Sequence, residues 1–479
     1  MYDCTRNYIN GEWVDSGSGG LHDIINPATE QPVGQVAYGN AIDVDRAVAA
    51  ARSAFAAFSQ WTADDRVELL ENIVTEYKRR WNDIAAAITA EMGAPAEFSR
   101  RSQAGSGLGH LRATIAALKE IPREEPAGDS RIWREPIGVC GLITPWNWPI
   151  NQITCKVAPA LAAGCTVVLK PSEIAPADAS LVAEVLHAAG GPAGVFNLVQ
   201  GDGPGVGSAI SAHPGIDMVS FTGSTRAGIL VAKSAADSVK RVAQELGGKS
   251  PNIILESAPL DEAVAAGAHA MFDNTGQSCN APSRMLVPEA MYDQAVEIAA
   301  AVARETRCGD PLDPETHIGP VISETQFNRI QTLIETGMKE GANLAAGGPG
   351  KPAGLETGYY VKPTVFRDVN NDMTIAREEI FGPVLCMIPY SSLDEAVRIA
   401  NDTVYGLSSY VWGGSREEAL ARAHRLRTGM GHNNGADTDI MAPFGGYRQS
   451  GNGREWGRHV IEDFQEIKAV MGACPGKIR

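Results

Sequence analysis

Two features of the amino-acid sequence predict an α/β fold built on parallel sheets. The first is a series of short, almost wholly apolar runs: GVCGLI (138–143), TVVLK (166–170), GVFNLV (194–199) and DMVSFTG (217–223). Strands buried on both faces read this way, whereas half-exposed strands alternate. The second is what lies between and after them, namely helix-patterned stretches at 151–163, 177–189, 204–212 and 225–235. Alternating strands and helices are the signature of βαβ units, whose crossovers make neighbouring strands parallel.

In chain order, residues 8–15 (YINGEWVD) predict a hairpin, because Asn10-Gly11 is a type I′ turn signal flanked by apolar alternation. From Ala41 to about Gly109 the chain is rich in Ala, Arg and Glu and predicts helices. The segment 123–136 (REEPAGDSRIWREP) interrupts the first alternating section with a polar, hairpin-like excursion. A second alternating section starts at NIILE (252–256) and runs to about 440, with helices at 261–272 and 324–339 and strands near 362–366, 384–389 and 409–412. The tail at 463–471 (DFQEIKAVM) is strand-like again. No repeat of fixed period and no low-complexity segment breaks the pattern. A chain of 479 residues suggests roughly two to four structural units and needs no disulfide or metal to staple its core.

Composition excludes several classes of function. The formal net charge is −16, which argues against a general nucleic-acid or anionic-membrane surface. The basic triplet Lys78-Arg79-Arg80 sits in an amphipathic helical stretch and reads as a solvated face. Eight cysteines, at 4, 140, 155, 165, 279, 308, 386 and 474, form no C-x-x-C pair. With no signal peptide at Met1, they predict free thiols in a reducing, cytoplasmic setting. No apolar run reaches the ~18 residues of a membrane span, and no His/Cys cluster has metal-ligand spacing. No metal is expected.

Parallel α/β sheets bind ligands beyond the carboxyl ends of their strands, and several such ends carry informative residues. In TPWNWP (144–149), Asn147 is confined between two tryptophans and two prolines, so its amide is preorganised as an oxyanion donor or as part of a buried turn. In LKPSE (169–173), Lys170 and Glu173 follow a buried strand and can reach a ribose; an acidic group there disfavours a 2′-phosphate. In FTGS (221–224), Gly223 and Ser224 open a helix and offer backbone N–H groups to a phosphate. The nearby GDGPGVG (201–207) lacks the G-x-G-x-x-G spacing. In QELGGK (244–249), Glu245 precedes a Gly-Gly pair, where partial desolvation would raise its carboxyl toward the range of a general base. The sharpest feature is NTGQSCNAPSR (274–284), in which Cys279 sits among amides and small polar residues. A buried structural cysteine usually has apolar neighbours. Gly276 permits a backbone turn that aims the thiol into a cleft, and a nucleophilic role there requires local help to form the thiolate.

Taken together, these motifs resemble the aldehyde dehydrogenase superfamily along nearly the whole chain. The resemblance is carried by NYINGEWVDS, INPATEQPVG, TPWNWP, LKPSE, FTGS, QELGGKSPNII, NTGQSCNAPSR, EEIFGPV (378–384) and PFGGYRQSGNGREWG (443–457), in the family's order. It implies a Rossmann-like parallel-sheet cofactor domain over 1–117 and 137–247, a second α/β catalytic domain over 248–445, and a small β oligomerisation extension at 118–136 and 460–479. It implies that Cys279 is the nucleophile, that Asn147 and the Cys279 backbone N–H form the oxyanion hole, and that Glu245 is the base that activates water. Lys170 and Glu173 match the ribose contacts and Gly223 and Ser224 the pyrophosphate contacts. Glu379 and Phe381 match those at the nicotinamide end, with Ile143, Trp146 and Gln326 completing the cofactor set and Lys156 joining a proton relay. The implied cofactor is NAD, with NADP less favoured because of Glu173.

Two segments depart from the family's pattern: Pro282 replaces a glycine, and GMGHNNGADTDIMA (429–442) replaces a valine-rich approach to PFGG. Both lie near the implied substrate entrance. Trp148, Ile150, Asn151, Gln152, Ser278, Asn280 and Phe444 are the implied tunnel residues and suit a medium-sized apolar or aromatic aldehyde. The alternatives are acyl transfer to coenzyme A, which has less use for Glu245, and a non-redox thiol hydrolase or acyltransferase, which has no use for Lys170, Glu173 and EEIFGPV. The hairpin and tail imply a homodimer or homotetramer formed by sheet extension.

Overall fold

The computed structural model describes residues 1–17 and 20–473. Its largest sheet has eight strands in the spatial order Gly451–Asn452, Arg241–Glu245, Met218–Thr222, Val139–Ile143, Thr166–Lys170, Phe196–Leu198, Arg6–Ile9 and Glu12–Asp15. The five strands from Arg241–Glu245 to Phe196–Leu198 are mutually parallel. Three of the four apolar runs are strands buried at every residue, and the fourth contributes the buried Phe196–Leu198. Helix Pro149–Ala163 is buried along its whole length because it lies between this sheet and other helices. Proline at its first turn costs no hydrogen bond, since that N–H has no partner within the helix anyway.

From Val139–Ile143 the chain winds outward through Thr166–Lys170 to Phe196–Leu198. It then returns to the other side of Val139–Ile143 for Met218–Thr222 and Arg241–Glu245. The strand order therefore reverses at Val139–Ile143, and the loops leaving its carboxyl end and that of Met218–Thr222 splay apart. A crevice at that position is a consequence of topology.

The second sheet has seven strands, in the order Asn343–Ala346, Thr364–Arg367, Val384–Tyr390, Arg284–Pro288, Pro251–Ile254, Ser408–Trp412 and Met430–Asn433. All pair in parallel except Asn343–Ala346, which is antiparallel to its neighbour. The fold is thus the mixed α/β arrangement that the apolar runs predict. The N-terminal hairpin forms as expected, with Asn10 and Gly11 at φ 54° and 84°, both in the left-handed region that a type I′ turn requires.

Two features were not foreseen. Gly20–Asn26 and Gln31–Tyr38 pair as an antiparallel hairpin. The first four residues of Gly20–Asn26 are exposed, so no buried face marks it as a strand. The stretch expected as one helix at 204–212 begins as a π-turn, Gly203–Gly207, before Ser208–Ala212. The excursion resolves into strands Glu124–Ala127 and Ser130–Pro136, and the tail strand Gln465–Val470 pairs antiparallel with the latter. Cys474 and the residues after it lie outside the described residues. The seven described cysteines are all unpaired. Among the described residues no helix is long and apolar enough to cross a membrane, and no three metal-ligating side chains converge.

Candidate functional site

The crevice is a cleft of about 190 Å³ lined by residues from both sheets. Pro145, Trp146 and Asn147 follow the strand at the switch point, Thr222, Gly223 and Ser224 follow its neighbour, and Leu246 and Gly247 follow the next. Cys279, Gln326, Arg329, Glu379 and Phe381 close it from the second sheet's side. Residues more than 200 positions apart in sequence thus converge. Those of the first sheet lie just past strand carboxyl ends, whereas Cys279, Glu379 and Phe381 come from loops that lead into strands of the second sheet and Gln326 and Arg329 from helix Glu324–Lys339.

The Cys279 loop is held in an unusual backbone path. Asn274, Thr275 and Gly276 adopt φ of 53°, 58° and 69°, three left-handed residues in succession. Each non-glycine residue there stores strain, of order 1–3 kcal/mol, that the surroundings must hold in place. They do so by hydrogen bonding. The Gln103 side-chain amide donates to the Asn147 carbonyl (3.1 Å) and to Asn274 Oδ1 (3.2 Å). Asn274 Nδ2 donates to the Asn147 carbonyl (2.9 Å), and Asn147 Nδ2 donates to the Gln277 carbonyl (3.0 Å). At Gly276 a Cβ would overlap the Gly382 carbonyl, so no side chain fits. Trp148 Nε1 donates to Ser278 Oγ (2.9 Å), and Tyr410 OH donates to the Asn280 carbonyl (2.9 Å).

The glycine pair after Glu245 has a steric explanation. A Cβ on Gly247 would meet the Glu379 carboxylate, and one on Gly248 would overlap the Cys279 carbonyl. Gly248 N–H donates to Glu379 Oε1 (2.9 Å). Gln326 Nε2 donates to the Ile380 and Phe381 carbonyls (3.2 and 2.8 Å), and Arg329 Nη2 to the Glu379 carbonyl (2.8 Å). Phe381, at φ 58°, packs edge-on against Trp146 at 5.4 Å between ring centres. The two aromatic rings form one wall of the cleft.

Electrostatics do not activate the thiol. Cys279 is half-buried, and burial followed by the carboxylates of Glu379, Glu245 and Glu455 pushes its thiol upward. The local help expected for a thiolate is thus absent from these side chains, and the resting group is a neutral thiol. Burial raises Glu379 to about 7, offset in part by the Gly248 N–H. Burial, and next the Glu455 carboxylate, hold Glu245 well above the usual carboxylate range. Both Glu245 oxygens are buried without a protein partner, which suits a group that takes up a proton. Glu245 acts on Cys279 through its charge but does not line the cleft.

Behind Glu245 lies a pocket of about 10 Å³, with Lys156, Glu455, Arg454 and Asp463 in its walls. Burial works against the Lys156 charge, but Glu455, Cys155 and Glu245 together outweigh it and the ammonium stays favoured. Lys156 Nζ bonds to Glu455 and donates to Thr222 Oγ1 (2.7 Å).

Lys170 and Glu173 form an ion pair (3.0 Å), and a Cβ on Gly207 would lie 3.9 Å from the Lys170 side chain. This places both beside the Gly203–Gly207 turn, away from the cleft's lining. Ser224 Oγ caps helix Thr225–Ala235 by accepting from Ala227 N–H (3.3 Å). Ile143 and Ile150 are buried in the core. Asn151 bonds to His110 (3.0 Å), whose ring stands 5.0 Å from Trp456, and Phe444 packs against Trp456 with tilted rings 4.4 Å apart. Burial holds His110 neutral, down to about 3. Gln152 is buried one helical turn from Lys156. Reading the sequence missed Gln103, Asn274, Arg329, Tyr410 and Glu455. None carries a local signal, because each acts through a partner remote in the chain.

Residues 13–470 match the aldehyde dehydrogenase family. The chain is 55% identical over 473 residues to a 3-succinoylsemialdehyde-pyridine dehydrogenase of a Pseudomonas species, covering 98% of this chain and 99% of that one. It superposes with a TM-score of 0.98 on aldehyde dehydrogenase C of Pseudomonas syringae, crystallised as a cysteine-to-alanine mutant with NAD+ and octanal (51% identity; 99% and 98% covered). An aldehyde dehydrogenase of Bartonella henselae superposes with a TM-score of 0.96 (46% identity; 98% and 99% covered).

Proposed function

The chain belongs to the aldehyde dehydrogenase family, and from that premise we propose that it oxidises an apolar, medium-sized aldehyde to the free carboxylic acid, with NAD as hydride acceptor and Cys279 as nucleophile. The single observation that carries the assignment is the cleft itself. It stands at the switch point of the first sheet, is walled by Trp146 and Phe381, and has Cys279 and Glu379 at one end. NAD, when bound there, supplies the acceptor for the aldehyde's hydride. The residues present fit it: an open crevice beyond parallel strands, a helix N-terminus at Ser224, and the Lys170–Glu173 pair toward the ribose end.

The chain's own groups do the rest. The Cys279 sulfur, once deprotonated, bonds to the aldehyde carbon, and the oxygen becomes an alkoxide. The Asn147 amide and the Cys279 backbone N–H are the donors that stabilise this charge, and such donors are worth roughly 10²–10³ in rate. Loss of hydride from that carbon leaves a thioester on Cys279. Glu245 then takes a proton from water as the water oxygen attacks the thioester carbon, and the C–S bond breaks to release the acid and the thiol. Lys156, Glu455 and the small pocket behind Glu245 offer that proton a way out. A base so placed favours hydrolysis over transfer to coenzyme A.

The aromatic trio of His110, Trp456 and Phe444, with Trp148 above Ser278, supports an apolar or aromatic substrate, and so do two relatives. The octanal complex is one, and the other is an indole-3-acetaldehyde dehydrogenase of Pseudomonas syringae (37% identity; TM-score 0.94) crystallised with NAD+ and IAA. The three-stranded extension leaves Glu124–Ala127 and Gln465–Val470 as free edges, with Ile467 65% exposed, which supports a homodimer or homotetramer.

The test is absorbance at 340 nm with NAD and a panel of octanal, indole-3-acetaldehyde and betaine aldehyde, for the wild type and Cys279→Ala. Wild type is expected to form NADH with the first two, and the variant to lose about 10⁴-fold or more. Turnover that survives in Cys279→Ala would overturn the role of the thiol. A preference for betaine aldehyde would overturn the substrate class alone.

A further inference from the structure

On the far side of the molecule, a cavity of about 300 Å³ opens between the helices of the first sheet and the base of the β extension. Its walls differ in chemistry. Phe55, from helix Ala41–Phe58, and Leu118 and Ile121, from the end of helix Ala104–Glu120, form an apolar side. Arg66, Arg123 and Arg134 form the other, contributed by helix Ala63–Arg79, the loop after helix Ala104–Glu120, and strand Ser130–Pro136.

Three guanidiniums around one cavity are out of character for a chain of net charge −16. Most arginines whose partners the structure records are paired with carboxylates, but Arg66 and Arg123 are not neutralised in that way. Arg66 is 91% buried; its Nη1 donates to the Ala163 carbonyl (2.9 Å), its Nε has no partner, and it makes no ion pair among the described residues. Arg123 likewise makes none among the described residues, and its charge, after burial, works against that of Arg66. Arg134 reaches Glu125 through Nη2 (3.1 Å), but its buried Nε is unpartnered. The one acidic residue in the wall, Glu135, is committed to Lys468 (2.6 Å). The protein therefore gathers positive charge in a concave site and leaves two of the three guanidiniums, Arg66 and Arg123, without a paired carboxylate, which is costly for the buried Arg66 unless an anion supplies the counter-charge.

We infer that this cavity binds an organic anion, with a carboxylate or phosphate head between the arginines and a short apolar body against Phe55, Leu118 and Ile121. Guanidinium forks match the paired oxygens of either head group. The volume suits a ligand of that size and is larger than an inorganic ion needs. The site is separate from the Cys279 cleft and shares no lining residue with it. Because Arg134, Glu135, Pro136 and Gln465 belong to the β extension while Arg66 and Phe55 belong to the helical layer, a bound anion would clamp the two together.

Calorimetric titration of the full chain with octanoate, octylammonium and inorganic phosphate, for wild type and Arg123→Glu, tests this. Arg123 is exposed, so its reversal leaves the core intact, and NADH formation from octanal serves as the check that folding and the cleft are unaltered. The expected result is an octanoate component that Arg123→Glu weakens by about tenfold or more. Inorganic phosphate should displace that component at higher concentration, which would show that the head group is read independently of its source. Octylammonium should not reproduce it. Identical octanoate isotherms for the two proteins, or an equal response to octylammonium, would overturn the inference.

Discussion

The loop that carries Cys279 and the segment 435–442 that leads toward Phe444 are built on opposite plans. The first is clamped by Gln103, Asn147 and Asn274, strained at Asn274 and Thr275, and so close to Gly248 and Gly382 that neither contact leaves room for a Cβ. The second is almost entirely exposed, and turns on short local bonds such as Met441 N–H to Asp439 Oδ1 (2.9 Å). Its anchors are few: Ile440 against Gly109, and the Gly457 N–H to the Ile440 carbonyl (3.1 Å). Strain can persist only where surroundings over-determine it, so the Cys279 loop is rigid and segment 435–442, the proposed entrance, is free to vary.

Four substitutions sharpen or break that contrast. The largest effect belongs to Glu245→Gln: steady-state turnover should fall by about 10²–10⁴-fold, while a single stoichiometric burst of NADH survives in stopped-flow records. Loss of the burst as well would mean that Glu245 serves the first half of the reaction. Next is Gly276→Ala, which should destabilise the protein by about 2–3 kcal/mol in a thermal melt and cut turnover by on the order of 10²-fold through misplacement of the thiol. A fully active, stable variant would show that the loop is not held as tightly as described.

Third, Glu379→Gln removes the carboxylate that, after burial, most opposes the thiolate. Iodoacetamide should alkylate Cys279 about tenfold faster in the variant at pH 8. In the wild type the rate should climb with pH but flatten through about 7, because Glu379 is neutral below that value and negatively charged above it. The variant should climb without that step, and a persisting step would assign it to another group. The smallest effect is at the proposed entrance, where Met441→Ala should raise KM for octanal by a few-fold (about 1 kcal/mol of lost apolar contact) with kcat unchanged. A matching fall in kcat would mean the entrance is coupled to the chemistry after all.

What the sequence disclosed follows the same division. Val139–Ile143, Thr166–Lys170 and Met218–Thr222 were legible because strands buried on both faces must be apolar throughout. Cys279 stood out because a thiol among amides and small polar residues has few structural uses, whereas Asn147 and Glu245 drew their roles from the resemblance of the whole set of motifs, since each alone reads equally as a buried turn or a surface carboxylate. Gly20–Asn26 was not legible, since an exposed strand carries no apolar period. Asn274 and Gln103 look like any amides until the fold sets one against the other, and Glu455 becomes informative only beside Lys156, 299 positions earlier. The upward shift of the Cys279 thiol was also out of reach, because it depends on three carboxylates that arrive from three different elements.

The contact between Gly248 and the Cys279 carbonyl has a bearing on how such a catalyst can change over generations. Glu245 and Cys279 sit on opposite sides of a junction with no slack in it, so a shift of either is felt at once by the other. Variation that retunes this pair is therefore penalised from both sides, whereas insertions or swaps between 435 and 442 leave the junction alone. New substrates become accessible by rebuilding the doorway, with the machinery behind it inherited whole.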